Sequence, residues 1–227
     1  MNLRGTVRNL AVAAAALLLT GAYAASNAGL EEMMSHDGLK KTNVKGIELA
    51  YARPGATLAG YNRVKLEPVE VAFRKDWEPT KSGSRIKLSA EERENIRANV
   101  AKLVYEEFSK ELQRKDGYVL ANEAGPEVLR VKINIVNLYL NAPDAPPTGR
   151  SRTYTVSAGE MALFLEMYDS ETGEVLARVV DRRAARGSGK MALSSNMANA
   201  DEARLIAADW ARILRNGLDK AHGIGKK

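Results

Sequence analysis

The chain has 227 residues, 45% of them hydrophobic and 27% charged, and carries a formal net charge of +6. It contains no cysteine and two histidines, which excludes thiol catalysis, thiolate metal sites and disulfides, and leaves stability to burial. The mild basic excess, with no basic stretch interleaved with aromatics, argues against nucleic acid and suits a protein or an anionic envelope component as partner.

Residues 1–24 read as an export leader. Arg4 and Arg8 form a positive start with no acid nearby, and Leu10 to Leu19 is an unbroken apolar run. A spanning helix needs about 20 apolar residues, so this run is too short for a permanent anchor. Ala22-Tyr23-Ala24 places small residues at the −3 and −1 positions, predicting cleavage after Ala24 and a periplasmic protein. Leu19-Thr20-Gly21-Ala22 resembles the box where bacterial lipoproteins are cut and acylated, but Ala22 stands where a cysteine is needed. Membrane association is therefore expected to be peripheral at most, with an uncleaved leader as the alternative. Losing residues 1–24 removes two arginines and no acid, leaving +4.

Residues 25–60 read as an irregular arm with one helical turn near Leu30 to Met34, and Arg53-Pro54-Gly55 as a turn. Residues 62–74 alternate like a strand, interrupted by Pro68, which lacks an N–H and points to an edge or a bulge. A polar loop, 75–88, leads to the capping box Ser89-Ala90-Glu91-Glu92. Ile96, Val100, Leu103, Val104 and Phe108 then recur at helical spacing. Gly117 is expected to end that helix in a left-handed cap. Tyr118 to Leu120 is a short strand. Residues 127–140 form a longer one whose apolar phase flips after Ile135, predicting a bulge or a change of buried face.

Residues 142–152 are proline-rich and read as a loop. Residues 153–169 and 174–183 form a hairpin around Asp169-Ser170-Glu171-Thr172-Gly173-Glu174, whose aspartate and glycine suit a tight turn. Residues 187–200 read as a flexible linker. The last helix is expected from Asp201 to Ala221, with Ala203, Ile206, Ala207, Trp210, Ile213, Leu214 and Leu218 along one stripe. The order predicts an α+β, two-layer sandwich: a mostly antiparallel sheet of about five strands with two long helices on one face. The domain is drawn at 61–222, followed by a short tail at 223–227.

No catalytic set assembles from these elements. His36 and His222 have no ligand-spaced partner and read as surface histidines; no metal or cofactor is expected. Serine-elbow and phosphate-loop motifs are missing. Asp169, Glu171 and Glu174 serve the turn. Basic residues concentrate at the far end of the hairpin: Arg150, Arg152, Arg178, Arg182, Arg183 and Arg186, with Asp181 among them. Guanidinium groups there could grip phosphate or carboxylate in bidentate fashion. The plainer reading is a solvated strand end that keeps the sheet from aggregating.

The blocks YARPGATLAGYNRVKLEPVEVAFRKDW, GPEVLRVKINIVNLYLN, SAGEMALFLEMYDSETGEVLARVVDRR and DWARILRNGLD resemble the domain of unknown function 3313 family, bacterial lipoproteins of unassigned activity. The resemblance spans about residues 35–220. It implies a place in the Gram-negative envelope and carries over no catalytic residue. The expected function is thus a non-catalytic periplasmic protein that binds another envelope component. The alternatives are a carboxylate-dependent hydrolase of cell-wall or lipid material and an oligomeric scaffold. Mass analysis of the protein isolated from fractionated cells should give a chain starting at Ala25 with no added mass; a start at Met1 would contradict the leader reading.

Overall fold

The computed structural model describes residues 27–75, 77, 87–115, 117–140, 154–155, 159–184, 192–193 and 196–224. The leader, the proline-rich loop, and Arg150, Arg152 and Arg186 lie outside these. Three helices are described, α1 (Asn27–Ser35), α2 (Ala90–Gln113) and α3 (Asn196–Ala221). The strands are β1 (Lys40–Thr42), β2 (Leu49–Ala52), β3 (Arg63–Leu66), β4 (Glu70–Phe73), β5 (Val119–Leu120), β6 (Val128–Leu140), β7 (Tyr154–Thr155), β8 (Gly159–Asp169), β9 (Val175–Ala184) and β10 (Ala192–Leu193).

Eight strands form one mixed sheet in the order β1-β2-β9-β8-β6-β3-β5, with β4 also paired to β6. β7 and β10 make a separate antiparallel ribbon. This corrects the expected five-stranded, mostly antiparallel sheet with two helices. β3 and β4 both run parallel to β6 and take successive stretches of its edge. Pro68 falls in the break between them, where a missing N–H costs no ladder bond. The parallel pairing has a topological cause: α2 connects β4 to the strands after it, and a helical crossover returns the chain in the same direction.

The supposed irregular arm also supplies structure. β2 pairs antiparallel with β9, and β1 extends the sheet beyond β2. Leu49-Ala50-Tyr51-Ala52 is too short to show an alternation, so the strand is visible only through its partner. α3 begins at Asn196, ahead of the expected Asp201.

Several local expectations hold in detail. Ser89 Oγ accepts from Glu92 N–H at 3.1 Å while Ser89 N–H donates to Glu92 Oε2 at 2.8 Å, a complete capping box. The phase flip in β6 is a bulge: register shifts between Val136 and Tyr139, and Asn137 adopts φ 54°. In the β8–β9 turn, Asp169 Oδ1 accepts from the N–H groups of Glu171 (3.1 Å) and Thr172 (2.7 Å), and Gly173 takes φ 69°. The end of α2 differs from expectation. Lys115 holds the positive φ of 51°, not Gly117. Gly117 is needed for close approach instead, since a Cβ there would collide with the Leu112 carbonyl and the Arg215 guanidinium.

The two sheet faces differ. The front face packs Val131, Ile133, Ile135, Leu163 and Leu165 against Val104, Phe108 and Leu112 of α2 and Ala207, Trp210, Leu214 and Leu218 of α3. On the back face a smaller cluster sets Met34 and Leu39 against Tyr51, Val136, Ala162, Phe164, Tyr168, Val175 and Val180. Trp210 is 1% exposed. Trp210→Ala should cost about 3–5 kcal/mol, read in urea unfolding as a lowered midpoint with an unchanged slope.

Candidate functional site

β9 carries the charged residues singled out in the sequence, and its pleat separates them. Successive side chains point to opposite faces, so Arg178 and Arg182 lie on the back while Asp181 and Arg183 lie on the front. Pairing places Arg178 opposite both Tyr51 and Glu166. The four described members of the predicted cluster thus make two separate constellations.

On the front, Asp181 is 5% exposed. Its Oδ1 accepts from Glu48 N–H at 3.0 Å. Its Oδ2 accepts from Trp210 Nε1 at 2.7 Å and from Arg183 Nε at 2.8 Å. Arg183 also donates Nη2 to the Gly46 carbonyl at 2.9 Å and Nη1 to Asp209. Burial works against the Arg183 charge, but hydrogen bonds with Asp209 and Asp181 outweigh it and raise its affinity for the proton. The Arg183 hydrogen bond holds the Asp209 carboxyl below the usual carboxylate range.

On the back, Arg178 donates Nε to Glu166 Oε1 at 3.0 Å, Nη2 to Asp37 Oδ2 at 2.6 Å, and Nη1 to the carbonyls of His36 and Met33 at 2.9 and 3.3 Å. Burial would raise the Asp37 carboxyl, yet bonds from Arg178 and His36 outweigh this and lower it. Arg182 stands 3.8 Å from Glu160 with 49% of its side chain exposed, a geometry that contributes little energy.

Toward β3 and β4 the back face turns polar. Arg130 Nη1 approaches Glu67 at 3.4 Å, Lys132 Nζ reaches Glu70 at 3.1 Å, and the Arg130 guanidinium lies 4.3 Å from the Tyr168 ring centroid. Burial, with the neighbouring Glu166 carboxylate, pushes the Tyr168 phenol far up. Asn134 and Glu166 are each 2% exposed. Asn134 Oδ1, Glu166 Oε2 and Arg130 Nε are buried without a hydrogen-bond partner. Buried polar atoms are normally satisfied, so three orphans on one face set it apart. A signal existed: Glu166 interrupts the apolar run MALFLEMY, and Lys132 and Asn134 alternate with buried isoleucines.

At one end of the sheet, Trp77 stacks on Phe73 at 4.4 Å and donates Nε1 to the Leu140 carbonyl at 3.1 Å, and Arg74 lies 4.1 Å from the Tyr139 centroid. At the opposite corner His222 is half-buried rather than a surface residue, which corrects the earlier expectation. Its Nδ1 lies 2.9 Å from the Leu218 carbonyl and 3.2 Å from the Tyr118 hydroxyl. The i–4 carbonyl and the packing of Tyr118 draw the ring in, a relation that the sequence spacing of 118 and 222 conceals. His36 remains largely exposed, at 75% of its side chain. Among the described residues no three histidines or acids are grouped to hold a metal ion, and no helix is long and apolar enough to cross a membrane.

Fold and site together define an α+β protein with an eight-stranded mixed sheet, apolar beneath α2 and α3 and charged on its reverse. The chain belongs to the family described as protein of unknown function (DUF3313), whose model matches residues 31–214. No curated protein matches it. Solved structures similar in outline include the PelC L103M dodecamer from Paraburkholderia phytofirmans, at 10% identity and TM-score 0.36, covering 73% of this chain and 95% of that one. A Xanthomonas campestris protein, XCC0632, of the DUF330 family gives 12% identity and TM-score 0.39, over 76% and 91%. Likeness at this level carries no argument about what the chain does.

The lowered Asp37 and Asp209 carboxyls give a signed pH dependence. A carboxyl depressed on folding stabilises fully above its unfolded value of about 3.9 and loses that contribution as pH falls through the folded value. Unfolding free energy should therefore fall on the acid limb below about pH 4. Asp209→Asn should flatten that limb; urea midpoints at pH 3 and pH 6 measure the difference.

Proposed function

We propose that this chain is a non-catalytic protein of the bacterial envelope that binds another envelope component through the polar half of the sheet's back face. The observation that carries this reading is the pair of part-exposed ion pairs on that face, Arg130 with Glu67 and Lys132 with Glu70. Charges of both signs held at fixed positions on a sheet face give a partner a pattern to match, which favours specific recognition. Arg182, with about half of its side chain exposed, offers a further guanidinium group on the back face for an anionic or protein partner. The apolar leader and the lipoprotein-like box support an envelope location.

Binding is favoured over turnover by how the acids are held. Glu67, Glu70 and Glu166 each face a cation, Arg130, Lys132 and Arg178 respectively. A hydrolase would need one carboxyl free to carry a proton beside a second about 5–10 Å away. A photo-crosslinking residue at position 65 or 182 should trap one defined envelope component in living cells, whereas the same residue at position 105, on α2, should trap none. Equal labelling at all three positions, or hydrolysis of cell-wall or lipid substrates by the purified protein, would overturn the proposal.

A further inference from the structure

Residues 27–39 touch the rest of the protein through few groups, and one side chain makes their main polar contacts. Arg178 bonds the carbonyls of Met33 and His36 and the Asp37 carboxylate. The last carbonyls of a helix lack intrahelical partners, so the guanidinium supplies donors that α1 cannot. Its fourth bond ties the group to Glu166 of β8. The remaining attachment is one exposed ion pair, Glu31 with Lys41 of β1 at 2.8 Å, and apolar packing: Met34 and Leu39 are buried, with Leu30 and Met33 packed beside them, against Tyr51, Phe164 and their neighbours.

Three features mark this attachment as separable from the sheet. α1 has 9 residues, fewer than the roughly 12–15 that an isolated helix needs to persist in water. Asp37 sits at φ 67°, a left-handed conformation that costs a non-glycine residue energy unless its surroundings impose it. Glu166 Oε2 stays buried and unpartnered when the segment is closed, so closure leaves a charged oxygen unsatisfied. The sheet beneath loses no strand if residues 27–39 lift away, because β1 begins at Lys40.

We propose that residues 27–39 form a latch, with Arg178 as its bolt, that opens as a unit from an apolar groove on the back of the sheet. The open groove takes an amphipathic helix with the latch's own chemistry: aliphatic residues at i, i+3 and i+4, as in Leu30, Met33 and Met34, and an acid in a turn just past the helix end, as in Asp37. The groove is complementary to that pattern because it holds it now. Apparent affinity for an incoming helix is the intrinsic affinity scaled by the fraction open, so the bolt sets how readily the groove is reached. This inference concerns the covered half of the back face, which shares Glu166 with the polar half discussed above but does not rest on that reading.

Native-state hydrogen exchange on the full chain tests the latch, with Arg178→Lys and Asp37→Asn as variants. A lysine cannot reach Glu166, two carbonyls and Asp37 at once, while asparagine keeps the left-handed turn accessible and removes one charge. Arg178→Lys should speed exchange of amides 30–39 at least tenfold while amides 129–135 and 161–168 hold their wild-type rates; Asp37→Asn should act in the same direction by less. A labelled wild-type peptide of residues 27–39 should bind the Asp37→Asn chain saturably and more tightly than the wild-type chain, because the latch is weakened while Arg178 is kept to grip the peptide. Exchange that rises equally across the sheet, exchange unchanged in both variants, or a peptide that binds neither chain would overturn the proposal.

Discussion

Asp181 lies inside the protein with both oxygens engaged, and two other elements close on its strand there. The indole of Trp210 brings in α3, the Glu48 N–H brings in the turn before β2, and Arg183 of the same strand completes the set. Moving a carboxylate out of water costs several kcal/mol, recovered only where its lone pairs are all used in good geometry. Asp181 takes three donors, and the network extends beyond it, since Arg183 reaches on to Asp209 and the Gly46 carbonyl. Position of the last helix, the last long strand and the first hairpin therefore depends on one charge pair. Losing Arg183 would leave the buried Asp181 without a counter-charge, whereas losing Asp181 would leave Arg183 still paired with Asp209.

The same strand does comparable work on its other face. Arg178 lies three residues before Asp181, and a pleat of period two sends them to opposite sides. One fixes the N-terminal segment to the back of the sheet, the other fixes α3 and the first turn to the front. β9 is thus an internal fastener: Arg178 and Asp181 are buried on opposite faces, and of its charged residues only Arg182 is largely exposed. Polar atoms that remain unmatched collect toward β3 and β4, where the back face alternates Arg130, Lys132 and Asn134 with the isoleucines of the front core.

Short-range chemistry was readable before any fold was known. The Ser89 capping box, the Asp169 turn, the Val136–Tyr139 bulge and the Trp210 stripe each depend on residues within a few positions of one another. What stayed hidden depends on distant partners. Leu49 to Ala52 becomes a strand only because β9 offers an edge, and Pro68 reads as a defect until β6 is seen to receive a separate strand on either side of it. The arginines of β9 look like a surface patch because their counterions, Asp37, Glu166 and Asp209, come from three other elements. His222 looked solvent-facing because Tyr118, its packing partner, lies 104 residues away. Only Glu166, an acid inside an apolar strand, gave warning of a buried ion pair.

Parallel pairing of β3 and β4 with β6, and closure of β2 onto β9, have a bearing on how the chain assembles. β6, β8 and β9 form an antiparallel meander whose neighbours are near in sequence, whereas Glu48 meets Asp181 across 133 residues and Arg178 meets Met33 across 145. Distant pairings must overcome loop-closure entropy before any contact rewards them, and they slow folding. β2, and β1 through it, therefore have no sheet edge to join until β9 exists. A nascent chain of this kind stays loose while its front end travels ahead, and commits to its native shape only once its rear has arrived.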